Sequence, residues 1–218
     1  MDVPRLSALA ATAVLDLLFP PRCAGCRREG PYLCERCLAG LPELPLVVST
    51  SVGGALDAVL APFPMDGVAR EAVHRLKYRG VRAIAPEMGR LLADRVSGAL
   101  SRIDVVVAVP LHKRRLRRRG YNQAELLAAE LGRSLAIPLD RRGLARLEGG
   151  APQARSASRE ERRANVSGAF RALRSFSGAR VAVVDDVVTT GATLDACAEA
   201  LLDADARSVV GVAFAREV

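Results

Sequence analysis

Apolar residues in this chain follow two rhythms, and the switches between them mark out its elements. Residues 181–184 (VAVV) and 103–109 (IDVVVAV) are short, mostly β-branched runs without polar alternation. That is the pattern of strands buried on both faces of a parallel sheet. SVVGVAFA, residues 208–215, reads as a further strand after a loop containing Asp203 and Asp205, and a weaker one is expected around Ala55–Ala61. Between these runs the apolar spacing becomes helical. Residues 66–78 place Val68, Ala72, Val73 and Leu76 on one face, a second helix is expected over about Arg82–Leu100, a third through about Leu135, and a fourth through about Leu202. Residues 5–19 set Leu6, Leu9, Ala13 and Leu17 on one face, with Leu18 alongside, before Pro20 and Pro21 stop the pattern. This first segment reads as a docking helix, because its polar face carries little positive charge for a membrane surface. Strands alternating with helices predict an α/β fold, a parallel sheet flanked by helices.

A length of 218 residues suits one α/β unit with a small appendage. The expected division is 1–45 and 46–218. Half the residues are hydrophobic but only 4% are aromatic and none is Trp, so the core must be aliphatic. The longest apolar stretch, Leu6 to Phe19, is too short to span a bilayer and is interrupted by Asp16. It has neither a basic leading region nor a small-residue cleavage site, so no signal peptide is expected and the cytoplasm is the expected compartment.

Four of the five cysteines are spaced Cys23-x2-Cys26-x7-Cys34-x2-Cys37. Each pair lets two thiolates grip one side of a tetrahedral ion, and two pairs complete an S4 site. Gly25, Gly30 and Pro31 supply the turns that the short spacer needs. Two disulfides are the alternative, disfavoured in a reducing compartment. The expected cofactor is structural Zn2+, with no open valence for catalysis. Cys197, inside an apolar helix, reads as a small buried residue.

The chemistry concentrates in VAVVDDVVTTGAT, residues 181–193. Asp185 and Asp186 are expected beyond the carboxyl end of the strand, where open α/β sheets bind ligands. Thr189, Thr190, Gly191, Ala192 and Thr193 then form a small hydroxylated turn into a helix, suited to receiving a phosphate. Two carboxylates repel a phosphate unless a sugar with vicinal hydroxyls or a divalent cation lies between them. The stretch therefore reads as a ribose 5-phosphate site. No P-loop motif occurs, and too little chain follows Asp185 for a receiver domain. The motif resembles the phosphoribosyl pyrophosphate (PRPP) signature of type I phosphoribosyltransferases.

The net charge of +8 is distributed unevenly. Lys113, Arg114, Arg115, Arg117, Arg118 and Arg119 lie within seven residues, and the rest of the chain is close to neutral. This stretch reads as a loop after the 103–109 strand, on the same sheet edge as Asp185 and Asp186. Charges so concentrated repel one another and point to a polyanion, either a pyrophosphate or a nucleic acid. Gly120 permits a turn, and Tyr121, Asn122 and Gln123 are expected to open the next helix facing the site. Lys77 and Tyr78, at a helix end, are plausible ligand contacts, whereas His74 reads as a solvated or packed residue. Residues 148–166 are a polar, Arg-rich stretch that reads as a mobile lid.

Together these pieces resemble the ComF family, of the ComFC/GntX kind, over roughly residues 15–216. The likeness rests on LLFPPRCAGC, the second C-x-x-C, LKYRG, VAVPLHKRRLRRRGYNQA, PQ, RRANVSGAF and VVDDVVTTGATL. It implies a zinc ribbon followed by a type I phosphoribosyltransferase-like domain. In that domain Asp185 and Asp186 would take the ribose hydroxyls of PRPP, and Thr189 to Thr193 its 5-phosphate. The loop after Val109 would meet the pyrophosphate with Mg2+, and Gln153, Arg162, Arg163 and Asn165 would belong to the lid. The resemblance also implies a link to natural competence, with single-stranded DNA and the DNA-uptake machinery as partners. An active transferase with an unidentified acceptor is the alternative.

Overall fold

Residues 20–48, 54–147 and 168–218 are described by the structure, a computed structural model. The expected helix at 5–19 and the lid residues Gln153, Arg162, Arg163 and Asn165 lie outside them. The strands are β1 (Val47–Val48), β2 (Ala58–Leu60), β3 (Phe63–Pro64), β4 (Val105–Ala108), β5 (Leu139–Asp140), β6 (Leu144–Arg146), β7 (Phe170–Ala172), β8 (Arg180–Val188) and β9 (Ser208–Arg216). The helices are α1 (Glu35–Ala39), α2 (Gly67–Tyr78), α3 (Ala85–Val96), α4 (Lys113–Arg119), α5 (Gln123–Leu135) and α6 (Ala192–Leu202).

The main sheet has the order β1-β2-β9-β8-β4-β5, and β3 adds to the far end of β9. The β1–β2 pair is antiparallel and the remaining pairs of this sheet are parallel. A separate antiparallel hairpin, β6–β7, stands beside it. Helices cover both faces, so the central strands have no polar side to show. Along β8, Ala182 and Val184 join the core on the α2, α3 and α5 side, while Val181 and Val183 join the core on the α6 side. Alternate residues of a strand point to opposite faces, which is why the run had to be apolar throughout.

Three elements differ from the sequence expectation. β8 runs past Val184 through Asp185 and Asp186 to Val188, because β9 continues to pair with it as far as Arg216. The segment 82–100 is not one helix but a 3-10 turn, then α3, then a second 3-10 turn, with Pro86 in the first turn of α3, where its missing amide costs nothing. The basic stretch after Val109 is helical rather than a loop.

The cysteine ribbon is fastened to the sheet domain by charge as well as by apolar contact. Arg75 of α2 is buried and donates to the carbonyls of Arg22 and, at 3.1 Å, Cys23. Glu87 of α3 accepts from the amides of Tyr32 at 3.1 Å and Leu33 at 2.6 Å. Ala24, Leu33 and Leu41 pack into the same core as α2 and α3. Because Glu87→Ala removes the acceptor of two amides, each such bond worth about 1.5–3 kcal/mol, we expect unfolding free energy to fall by about 3–6 kcal/mol. Urea denaturation measures the loss, and hydrogen exchange should accelerate first at Tyr32 and Leu33.

Candidate functional site

The carboxyl ends of β4 and β8, adjacent and parallel, open onto a cleft of about 180 Å³. It is lined by Asp185, Asp186 and Thr193, by Lys77 and Tyr78 at the end of α2, and by Arg115, Arg119, Asn122, Gln123 and Arg146, among others. A larger, shallower depression of about 710 Å³ lies between the ribbon and α2. It has no paired carboxylates, and chemistry rather than size selects the cleft.

Adjacent positions in β8 start the two aspartate side chains on opposite sides of the sheet, and at its open end their carboxyls still interact. Asp186, only 2% exposed, meets Lys77 on the α2 side, with Nζ to Oδ1 at 2.9 Å. Its other oxygen, Oδ2, is buried without a hydrogen-bond partner. Asp185 lies on the α6 and β6 side, near Arg146 and the buried thiol of Cys197. Burial, and then the charge of Asp186, push the Asp185 carboxyl up to about 8 against the pull of the Asp186 amide and Lys77. One aspartate thus holds a proton at neutral pH beside a partner paired to a lysine.

The turn after β8 places Gly191 at φ 78°, a left-handed conformation that glycine adopts without strain, directly before α6. Thr189 is exposed, Thr190 half-buried with its hydroxyl accepting from the Ala192 amide at 3.4 Å, and Thr193 reaches the cleft. The first amides of α6, an 11-residue helix, therefore open next to the carboxylates.

The six clustered cations occupy α4. His112 caps it, Nδ1 accepting from Arg114 N at 3.1 Å, and Gly120 ends it at φ 78°. Helical spacing divides the cluster. Arg115 and Arg119, four residues apart, line the cleft; Lys113, Arg114, Arg117 and Arg118 are exposed and are not among its lining residues. Tyr121 does not face the site as expected. It is buried, its hydroxyl donates to the Leu76 carbonyl, and Arg82 sits over its ring at 4.4 Å. Asn122 caps α5, accepting from Ala124 N at 3.1 Å and donating to the Val109 carbonyl at 2.9 Å. Gln123 accepts from Arg119 at the cleft wall. Arg146, which sequence reasoning missed, arrives from the β6–β7 hairpin. No local motif surrounds it, and only the fold delivers it.

The sulfur atoms of Cys23, Cys26, Cys34 and Cys37 all lie within 4.8 Å of one another and none is in a disulfide. Against its burial, the amides of Cys34, Cys26 and Gly25 bring the Cys23 thiol down to about 6, so a thiolate ligand is available at neutral pH. Burial and the neighbouring thiols push Cys37 up to about 12, which a cation among them would reverse. The donor set fits a tetrahedral metal ion.

The phosphoribosyl transferase domain family matches residues 80–216. The DNA utilization protein YhgH of Escherichia coli O157:H7 is 33% identical over 209 residues, covering 93% of this chain and 86% of that protein. Competence protein F of Haemophilus influenzae is 33% identical over 183 residues, covering 80% and 76% respectively. Among solved structures, a purine phosphoribosyltransferase from Pyrococcus horikoshii Ot3 is similar at a TM-score of 0.36 and 18% identity, over 61% of this chain and 82% of that one.

The protonated state of Asp185 sets a pH dependence. Its folded value of about 8 lies above the unfolded value of about 3.9. Its contribution to stability is therefore complete below about pH 4, declines as pH rises, and is gone above about pH 8. Asp185→Asn should flatten the stability profile between those limits. Unfolding curves of both proteins from pH 5 to 9 measure the difference.

Proposed function

This chain belongs to the ComF family, whose members carry a phosphoribosyl transferase domain, and from that premise we propose that it is a DNA-utilization protein that binds PRPP in the cleft and single-stranded DNA on α4. The observation that carries the PRPP half is the unpartnered buried oxygen of Asp186 beside an open helix start. A buried polar atom without a partner costs free energy, and a ribose hydroxyl donating to Oδ2 would recover it. Asp185, carrying its proton, adds no second negative charge against the ligand's phosphates. The turn from Thr189 to Thr193 offers amides and hydroxyls to the 5-phosphate, and Arg115 and Arg119 face the pyrophosphate. Mg2+ would neutralise phosphate charge on the bound ligand. The DNA half rests on the exposed cations of α4, which leave the cleft to Arg115 and Arg119.

An active transferase is the second reading, favoured by Arg146, a further cation that β6 brings to the cleft wall. Such a reaction would transfer the phosphoribosyl group from PRPP to an acceptor and release pyrophosphate. Incubating the protein with Mg2+ and PRPP across nucleobases, amines and oligonucleotides, and assaying pyrophosphate, separates the readings.

For the ribbon we propose Zn2+ as the metal, a staple rather than a catalyst, since four thiolates fill its coordination. Elemental analysis should find one zinc per chain, and stripping it should lower the melting temperature and loosen residues 20–41 first. Protein purified in reducing buffer without zinc would overturn this.

Asp186→Asn removes the charge that Lys77 pairs with and that a ribose hydroxyl would meet. PRPP affinity, measured by calorimetry, should fall about ten- to a hundred-fold. An unchanged affinity would reduce the pair to a feature of the strand.

DNA binding through α4 should be mainly electrostatic. If Lys113, Arg114, Arg117 and Arg118 meet phosphates, log K should fall with log salt at a slope of about −3 on single strands. Replacing Arg114, Arg117 and Arg118 with Gln should make that slope shallower by about two units while leaving PRPP affinity unchanged. A salt-independent affinity would remove DNA from the reading.

A further inference from the structure

The chain has three tyrosines and no tryptophan, so an aromatic ring offered to solvent is a scarce feature here. Tyr121 is sealed, 8% exposed under the Arg82 guanidinium. Tyr78 is 66% exposed at the last residue of α2, yet it lines the cleft. Its neighbour Lys77 turns inward to Asp186, and Tyr78 is left on the rim. One turn earlier on α2, His74 is exposed and lies against it, ring centroids 5.0 Å apart at 44°. Arg119 also approaches, its guanidinium carbon 5.8 Å from the ring centre, much looser than the 4.4 Å of the sealed Arg82–Tyr121 pair.

A lone exposed tyrosine at a helix end is ordinary. This one has unusual company. It stands near a second flat ring and near an arginine that lines a cleft rich in cations. Every base has a π-face that stacks on an aromatic ring regardless of its identity, and the phosphate attached to it needs a cation close by. Stacking on a two-ring edge also explains why a large apolar ring is kept at the mouth of a polar cleft rather than folded into the core.

We propose that Tyr78, backed by His74, is a stacking platform for an unpaired nucleobase whose adjoining phosphate is held by Arg115 and Arg119. The proposal rests on the polyanion reading of α4 and adds to it a contact with a base rather than with the backbone. The base has two sources: one within a single strand lying across α4, or a free nucleobase or mononucleotide at the cleft. The shared chemistry is a planar heterocycle beside a phosphate.

The test uses the full chain and fluorescence anisotropy with a twelve-nucleotide oligo-dT, an abasic strand of equal length, and, by calorimetry, adenine and AMP. Tyr78→Ala should weaken oligo-dT binding about 5- to 150-fold with the salt slope unchanged, and Tyr78→Phe should restore it. The abasic strand should bind the wild type as weakly as oligo-dT binds Tyr78→Ala, and should not notice the substitution. Loss confined to adenine or AMP, with no oligonucleotide bound, supports the platform while assigning it to a free base and removing DNA from the reading above. Salt-dependent oligo-dT binding that is indifferent to Tyr78→Ala overturns the platform and leaves α4 binding DNA. Binding of neither class of ligand overturns both.

Discussion

A carboxylate buried to 2% exposure needs a partner of opposite charge, and in this protein Lys77 is that partner for Asp186. The cleft depends on that pair. It requires β8 to run on past its apolar segment, which happens because β9 pairs with it through Arg216. It requires α2 to end where Lys77 can reach the strand, and α2 is fixed by Leu76, Ala72 and Val73 in the core and by Arg75 on the ribbon. The ribbon is thus tied, through Arg75, to the same helix that delivers the lysine.

The basic helix illustrates tertiary structure overriding local preference. Lys113 and Arg117, Arg114 and Arg118, and Arg115 and Arg119 are like charges one turn apart, and basic residues at its start oppose the helix dipole. Intrinsic propensity gives seven such residues little reason to be helical alone. The segment is held by its ends, by the His112 cap and the left-handed Gly120, with Tyr121 anchored in the core immediately after. Its helical form then splits one cluster of cations into two for the cleft and others for solvent, a division that a loop would not impose.

Asymmetry within the aspartate pair follows from the strand in the same way. Two adjacent carboxylates in a loop would share one environment. In β8 one meets a lysine and the other is buried near Cys197 and Arg146, and that burial raises the proton affinity of Asp185.

The sequence by itself determined the layers of this protein. Unbroken β-branched runs specify strands covered on both faces, helical spacing supplies the covers, and paired C-x-x-C knuckles specify a metal-ready ribbon, because each is a local pattern with few alternatives. It also marked out the candidate ligand turn, since carboxylates, small hydroxyls and a glycine stand contiguously in 185–193. Only the tertiary structure decided what those side chains meet. Lys77 and Arg146 are 109 and 40 positions from Asp186, and Tyr121 and Tyr78 are equally aromatic on paper although one is sealed and the other bare. Such outcomes turn on which elements the sheet brings together and on which side each residue leaves its strand or helix, and these are set by long-range packing rather than by neighbours along the chain.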